Sequence, residues 1–287
     1  MAVKRVMLTV AYDGTAYSGW QLQPNAETIE SVLNRCLSEL TGEAVEVIGA
    51  SRTDSGVHAL GNVAVFDTKS PIPADKFSYA LNQRLPDDIR IRGSREVAAD
   101  FHPRHCESIK TYEYRICNAE FPLPTRRLYA HFTYVPLDVS LMKMAAVYLV
   151  GEHDFKSFCS VDTQAKTTVR RIEEIAVWEE SVVGNGAAVT DIAGETGIAE
   201  SSDAASRAFG AREIVIRVRG RGFLYNMVRI IAGTLMEAGR GQLAPEQMEA
   251  ILLACDRQKA GPTAPACGLT LIGYEFLEKP VDTRGTV

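Results

Sequence analysis

The sequence predicts an α+β protein built from two similar halves of strands and helices. Helical periodicity, alternating strand segments and turn residues follow roughly the same order in each half: strand, helix, strand, strand, helix, strand. The chain has 287 residues, of which 46% are hydrophobic, so both halves can bury a core. This order suggests two sheets of α+β type that share an interface.

The first half, residues 1–117, contains the clearest helix at Thr28–Leu40. Its apolar residues recur at helical spacing, and Gly42 follows as a stop signal. A second helix is predicted at Ala74–Leu85. Alternating apolar residues predict the strands of this half, at Val6–Tyr12, Val45–Ile48, Val63–Phe66, Ile89–Val97 and Thr111–Cys117.

A connector at residues 118–135 leads to the second half, residues 136–278. An insertion at about 180–211 is rich in Gly, Ala, Ser and Asp between 184 and 210, which predicts an exposed, mobile loop. Residues 279–287 form a tail that we expect to fray. The predicted helices are Leu141–Leu149, Met227–Ala238 and Glu246–Cys255, and the predicted strands are Ile172–Trp178, Glu213–Val218 and Leu269–Phe276.

Composition excludes several classes of protein. No apolar run approaches the roughly 18 residues of a membrane span. No signal-peptide core follows Met1, so we expect a cytoplasmic protein. The six cysteines are scattered, which predicts reduced thiols. His102 and His105 are three apart, but the intervening Pro103 disfavours a helical ligand pair, so we expect no metal site there.

The distribution of charge is more informative than its sum. The net charge of −5 is not that of a strongly basic nucleic-acid-binding domain. Arginines are nevertheless clustered, and Arg217, Arg219 and Arg221 alternate along one predicted strand face without interleaved acidic residues. Such a face suggests an anionic partner, and an ordinary solvated strand face is the alternative.

The polar segment Ser51–Ala59 lies between two predicted strands and holds Asp54 beside Arg52. A loop at the edge of a rigid sheet commonly carries catalytic residues, so Asp54 is a candidate nucleophile or base. An aspartate that caps a turn is the alternative. Arg52 would favour the ionised form of Asp54 if the two side chains approach each other.

Arg229 and Tyr112 are further candidates. Arg229 lies in an apolar helix start, where burying an unpaired guanidinium would cost roughly several kcal/mol. Its guanidinium group therefore pairs with a carboxylate such as that of Asp54, or alternatively extends to the solvent. Tyr112 could stack on a flat ring or act as an acid or base, and an ordinary strand tyrosine is the alternative. Tyr17 and Trp20 form either an aromatic surface or part of the core.

These residues resemble the motifs of the tRNA pseudouridine synthase A family. The most specific match is the loop Arg52-Thr53-Asp54-x-Gly56-Val57-His58. Ser51 and Ser55 depart from the family's usual Gly and Ala, and we expect these small changes to alter loop stiffness and not chemistry. The similarity runs nearly end to end, through Tyr12-Asp13-Gly14-Thr15, Asn82-x-x-Leu85-Pro86, Lys110-x-Tyr112-x-Tyr114, Gly151-x-x-Asp154-Phe155, Met227-Val228-Arg229 and Gly268-Leu269-x-Leu271.

The resemblance implies a fold, an activity and residue roles. The fold is a large mixed, mostly antiparallel sheet flanked by helices, with the active-site cleft between the halves. The activity is isomerisation of uridine to pseudouridine at positions 38, 39 and 40 of the tRNA anticodon stem-loop, by a homodimer that needs no cofactor or metal. Asp54 is implied as the essential catalytic group and Arg229 as its salt-bridge partner. Tyr112 would pack on the target base, and Arg52 would enter where the uridine leaves its stack.

Two other functions stay open at this point. One is a synthase of the same family with a different RNA target site. The other is a non-catalytic tRNA-binding protein on the same scaffold. A carboxylate-based hydrolase is disfavoured, because no second acid stands at a convincing spacing from Asp54.

Overall fold

The computed structural model describes residues 2–161, 163, 165–181 and 211–277. The predicted loop at 184–210 and the tail at 279–287 lie outside the described residues. The described strands form one ten-stranded sheet, which confirms the α+β fold with a large mixed sheet. The two separate sheets suggested by element order are wrong.

The strands are β1 (Lys4–Tyr12), β2 (Ile48–Gly49), β3 (His58–Thr68), β4 (Ile89–Val97), β5 (Ser108–Asn118), β6 (His131–Thr133), β7 (Gly151–Asp154), β8 (Val169–Ser181), β9 (Arg212–Gly220) and β10 (Leu269–Phe276). They run in the order β4-β1-β3-β10-β5-β9-β8-β7, with β2 beside β3 and β6 beside β5. Pairing is antiparallel except for β10 with β3 and β6 with β5. The strand β10, from the predicted second half, lies between β3 and β5, which come from the predicted first half. The division of the chain at residues 118–135 stays a prediction.

The helices of the described residues are α1 (Ile29–Thr41), α2 (Phe77–Asn82), α3 (Val139–Ala146), α4 (Met227–Gly239) and α5 (Gln247–Ala254). Helix α1 begins and ends within one residue of the predicted Thr28–Leu40. The Thr28 hydroxyl accepts from the Ser31 N–H, the Ser31 hydroxyl accepts from the Thr28 N–H, and Gly42 follows at φ 72°.

The strands predicted at Val63–Phe66 and Ile172–Trp178 are longer in the structure, and three other predicted elements are shortened, divided or shifted. Val45–Ile48 is reduced to Ile48 and Gly49, because side chains of α1 accept the Val45 and Val47 N–H groups in place of a neighbouring strand. Ala74–Leu85 is divided into a 3-10 turn and the short helix α2. Leu141–Leu149 begins two residues earlier, where the Asp138 carboxylate caps α3, and ends in a 3-10 turn.

The helices cover one face of the sheet and bury most of the core there. Side chains of alternate residues, such as Leu8 and Tyr114, point into this core and are completely buried. Tyr17 and Trp20 are 6% and 0% exposed, so core packing is the correct alternative for them. A smaller cluster on the opposite face contains Met7, Ala50, Val63 and Val65. Among the described helices, none has the length and apolar character needed to cross a membrane.

Candidate active site

Residues 51–57, the aspartate loop, connect β2 to β3 and are held by close backbone contacts. The Trp20 N–H donates to the carbonyl oxygen of Thr53 at 3.1 Å. Gly19 has φ 84°, and a Cβ atom there would lie only 2.5 Å from the same oxygen. A glycine is therefore required where this segment approaches the loop. The Ser55 hydroxyl donates to the Tyr17 carbonyl at 3.2 Å and adds a further tie.

Asn62, a completely buried residue of β3, connects the aspartate loop to the core. Its amide donates to the Ser51 carbonyl oxygen at 3.2 Å and to the Tyr12 hydroxyl at 3.3 Å. The Tyr12 hydroxyl in turn hydrogen-bonds with Thr53 Oγ1 at 2.7 Å. Sequence reasoning missed Asn62, although one amide within an apolar strand is a signal, because a buried polar group needs partners.

We expect Asn62→Leu to lower the free energy of unfolding by about 1–3 kcal/mol, because it leaves the Ser51 carbonyl and the Tyr12 hydroxyl short of a donor. Urea denaturation measures this change. The exposed Asn25 supplies a matched control, and Asn25→Leu should stay within about 0.5 kcal/mol of the wild type. Equal stability of the two variants would show that the network does not hold the loop.

The side chains of Asp54 and Arg229 meet although they are far apart in the chain. Arg229 Nη1 lies 3.5 Å from Asp54 Oδ2, and the side chains are 18% and 24% exposed respectively. Arg229 also donates from Nε to the Ala264 carbonyl at 2.7 Å and from Nη1 to Asn226 Oδ1 at 2.8 Å. Three acceptors thus fix the guanidinium inside the protein, and the solvent-directed alternative is wrong.

The environment of Asp54 acts on its ionisation in two opposing ways. Burial raises the pKa of the carboxyl above its ordinary value of 3.8, and the charge and hydrogen bond of Arg229 oppose that rise. Arg52 makes no such contribution. Its side chain is exposed, and no carboxylate among the described residues lies within 4.0 Å of it. The ionised form of Asp54 therefore depends on Arg229.

A cavity of about 1270 Å³ opens over the aspartate loop, and Arg52, Asp54 and Tyr112 all line it. Tyr112 is 8% exposed, and its ring meets that of Phe223 edge-to-face with 5.2 Å between centroids. Burial raises the pKa of Tyr112 to about 12, so its hydroxyl is protonated near neutral pH. Arg229 contacts Asp54 but is not among the residues that line the cavity.

Arg217 and Arg219 of β9, and Arg221 just beyond its end, are all paired with carboxylates. Each guanidinium meets carboxylates of other segments: Arg217 with Glu113 at 2.6 Å, Arg219 with Glu275 at 2.9 Å and Glu174 at 3.3 Å, and Arg221 with Glu173 at 2.8 Å. These ion pairs favour the alternative of a solvated strand face, and a site for an anionic partner stays a prediction for these three. The acids belong to β5, β8 and β10, so β9 alone cannot reveal them.

The cleft contains few groups that could hold a metal or act as acids. Within the described ranges, no three His, Cys, Asp or Glu side chains come together as a metal site. Among the described residues, the acids that line the cleft are Asp54 and Glu107, and the Glu107 side chain is 76% exposed. All six cysteines are free thiols. The arrangement thus offers one partly buried carboxylate, one protonated phenol and several cations around a space large enough for a nucleotide.

Known proteins share these features across almost the whole chain. A family described as tRNA pseudouridine synthase matches residues 8–105 and 145–276. The tRNA pseudouridine synthase A of Brevibacillus brevis is 44% identical over 269 residues, covering 94% of this chain and 98% of the relative. That of Acetivibrio thermocellus is 43% identical over 270 residues, with the same coverage. That of Caldicellulosiruptor bescii is 42% identical over 274 residues, covering 96% of this chain and 100% of the relative.

The family match at residues 8–105 includes the aspartate loop, and the match at residues 145–276 includes Arg229. Tyr112 lies between these two matched ranges. Identity above 40% over more than nine-tenths of both chains leaves no room for a different scaffold or an added domain in the aligned part. The chain therefore belongs to the tRNA pseudouridine synthase A family and is an isomerase that converts uridine in tRNA to pseudouridine.

Proposed function

We propose that this enzyme acts on uridines 38, 39 and 40 in the anticodon stem-loop of tRNAs and uses Asp54 as its essential catalytic group. The observation that carries the proposal is the pairing of Asp54, the one acid of the cleft that is largely buried, with the fixed guanidinium of Arg229. The nearby motif residues Arg52 and Tyr112 line the same cavity.

The reaction breaks the N1–C1′ bond of uridine, turns the detached uracil and joins C1′ to C5. The C5 proton leaves and N1 gains a proton, so the net change is an isomerisation. The Asp54 carboxylate would attack C1′, attack C6 or remove the C2′ proton, and all three routes start from its ionised form. Arg229 serves each route because it opposes the effect of burial on the pKa of Asp54.

The target base must leave its stack before it can reach the cleft floor. Everting a nucleotide costs about a few kcal/mol. Tyr112 would offset part of this cost by packing on the uracil, and the exposed Arg52 would occupy the space left in the RNA stem. Recognition of backbone shape without base reading would let one cleft serve neighbouring uridines.

A homodimer in the cytoplasm is the assembly that we propose. Exposed apolar side chains lie close together in the chain at Met144, Val147 and Val150, which are 52%, 68% and 41% exposed. Burying such side chains against a second copy would remove apolar surface from water. Light scattering should give twice the chain mass of 31.4 kDa, and a mass of one chain would contradict the dimer.

Chemical mapping of pseudouridine in unmodified tRNA transcripts, after incubation with the purified enzyme, tests the target positions. We expect modification at 38, 39 and 40 wherever these are uridine. Modification confined to other positions would support a family member with a different target site. Tight binding without any release of tritium from [5-³H]uridine tRNA would support a non-catalytic tRNA-binding protein.

Two substitutions of Tyr112 distinguish a stacking role of its ring from a proton-transfer role of its hydroxyl. We expect Tyr112→Phe to retain turnover within about tenfold of wild type, because the ring surface is kept. We expect Tyr112→Ala to lose roughly 10-fold to 100-fold, since base–aromatic stacking is worth about 1–3 kcal/mol. Tritium-release rates measure both. A Tyr112→Phe variant as inactive as Tyr112→Ala would assign the essential role to the hydroxyl.

A further inference from the structure

Besides Arg52, three cations beside the cleft have no carboxylate of the described residues within 4.0 Å. They are Lys110, Arg104 and Arg170. Arg171 and Arg221 are close by but already pair with Glu173. The acids Glu107 and Glu152 also line this region, and both are exposed and form no ion pair with the three.

Lys110 is the most constrained member of the group. It is half-buried, and its ammonium lies 5.5 Å from the centroid of the Tyr274 ring. Burial, together with the charges of Arg104 and Arg170, lowers the pKa of Lys110 to about 8. A half-buried ammonium that is repelled by the charges of two guanidinium groups is unfavourable in the free protein, and a bound anion would relieve the repulsion.

The two arginines are fixed by backbone carbonyls and keep donors for a ligand. Arg104 Nε donates to the Gly49 carbonyl at 2.7 Å, which leaves its two terminal nitrogens for other acceptors. Arg170 Nη1 donates to the carbonyls of Thr167 at 2.9 Å and Val169 at 2.6 Å. Cations held in this way lose little side-chain entropy when they bind an anion.

Lys110 is placed to connect this group of cations with the catalytic cleft. It precedes Tyr112 by two residues on β5, so both side chains point to the same face about 7 Å apart along the strand. Lys110 lines the main cavity and also an adjoining cavity of about 500 Å³ that contains Arg170. The cations therefore lie about one nucleotide away from the residue that faces the target base.

We infer that Lys110, together with Arg104 and Arg170, binds a phosphodiester group of the RNA next to the everted uridine. This inference rests on the proposed function, because it takes the nucleotide to enter the cleft at Tyr112. The phosphate supplies the anion that the three cations lack, and Lys110 is a positioning residue that fixes the register of the RNA backbone.

The salt dependence of tRNA binding tests the inference in an Asp54→Asn background, where turnover does not interfere. Lys110→Met should weaken binding roughly 10-fold to 100-fold. It should also reduce the slope of log K against log salt by about 0.7–0.9, the value for one lost phosphate contact. Lys110→Arg should restore the slope. The exposed Lys143 of α3 lies outside the cleft, so Lys143→Met is the matched control and should behave as the parent.

A second arm locates the contact on the RNA. A single uncharged methylphosphonate is placed either 5′ or 3′ of the target uridine in an anticodon stem-loop. The Asp54→Asn parent, which keeps Lys110, should bind these stem-loops more weakly than the unmodified RNA. One of the two methylphosphonates should not change the RNA affinity of Lys110→Met, because the ammonium group that contacts this phosphate is already missing. This arm also compares Lys110→Arg with the parent, so the test survives if Lys110→Met folds poorly.

The outcomes separate the subsite from the proposed function. The subsite would be overturned if Lys110→Met left the salt slope of binding unchanged and both methylphosphonates weakened binding equally in parent and variant. Wild-type turnover at positions 38–40 would continue in that case, so the proposed function would stand. Absence of pseudouridine at those positions with the wild-type enzyme would instead overturn the proposed function. Addition of inorganic phosphate should compete with the stem-loop only weakly, since a free ion lacks the rest of the RNA contacts.

Discussion

Asp54→Asn is expected to reduce tritium release from [5-³H]uridine tRNA by at least about 10³-fold while leaving tRNA affinity within about threefold of wild type. Asparagine has the same shape as aspartate and can still accept a hydrogen bond from Arg229, so the loop should keep its conformation. It cannot ionise, however, and every route from uridine to pseudouridine considered above begins with a carboxylate. Binding depends mainly on cations and stacking residues that this change leaves in place.

Asp67 provides the matched control, because it is an aspartate with an arginine partner outside the cleft. Its carboxylate lies 2.7 Å from Arg5 Nη2 and is 49% exposed. Asp67→Asn should retain full turnover and lose no more than about 1 kcal/mol of stability, since exposed ion pairs contribute little. Full turnover by Asp54→Asn, or equal losses in both variants, would contradict the catalytic role.

Arg229→Gln is expected to lower kcat/KM by roughly 10²-fold near neutral pH and to move the acidic limb of the pH profile upward. The direction follows from the two effects on Asp54: burial raises its pKa, and Arg229 lowers it. Without Arg229 only the rise remains, so ionised Asp54 is lost at a higher pH as the solution is acidified. Activity should recover in part as pH increases, which a misfolded variant would not show.

Arg229→Lys and Arg217→Gln complete this experiment. Lysine keeps the charge but cannot reach Asp54, Ala264 and Asn226 together, so an intermediate activity is expected. Arg217 pairs with Glu113 away from the cleft and should leave the profile unchanged. A loss in Arg229→Gln that is the same at every pH would show that Arg229 does not act through the ionisation of Asp54.

Local patterns predict local structure well here and long-range pairing poorly. Helix α1 was predictable because Thr28 and Gly42 signal its ends within a few residues of the helix itself. The short β2 was not, because side chains of α1 accept N–H groups that a strand would otherwise use. The order of strands in one continuous sheet depends on contacts across the chain, which periodicity within a segment does not encode.

In the candidate site, too, some contacts could be predicted from the sequence and others depend on long-range pairing. The contact between Asp54 and Arg229 could be anticipated, because an arginine in an apolar helix start needs an acid. The acids opposite Arg217, Arg219 and Arg221 could not, because they depend on the register of neighbouring strands. The partners of Asn62 could not either, because they come from β1 and from the aspartate loop. The unpaired state of Lys110 likewise emerges only when the neighbouring acids are located in space.

The central place of β10 has a consequence for synthesis on the ribosome. This strand is made after every other described strand, yet it fills the gap between β3 and β5. A growing chain that has not yet produced residues 269–276 would carry two open strand edges, which favour association with other chains. It would also hold Asp54 and Arg229 on parts of the molecule not yet joined by that strand. Completion of the sheet, and with it of the active site, should therefore be a late event that follows the synthesis of β10.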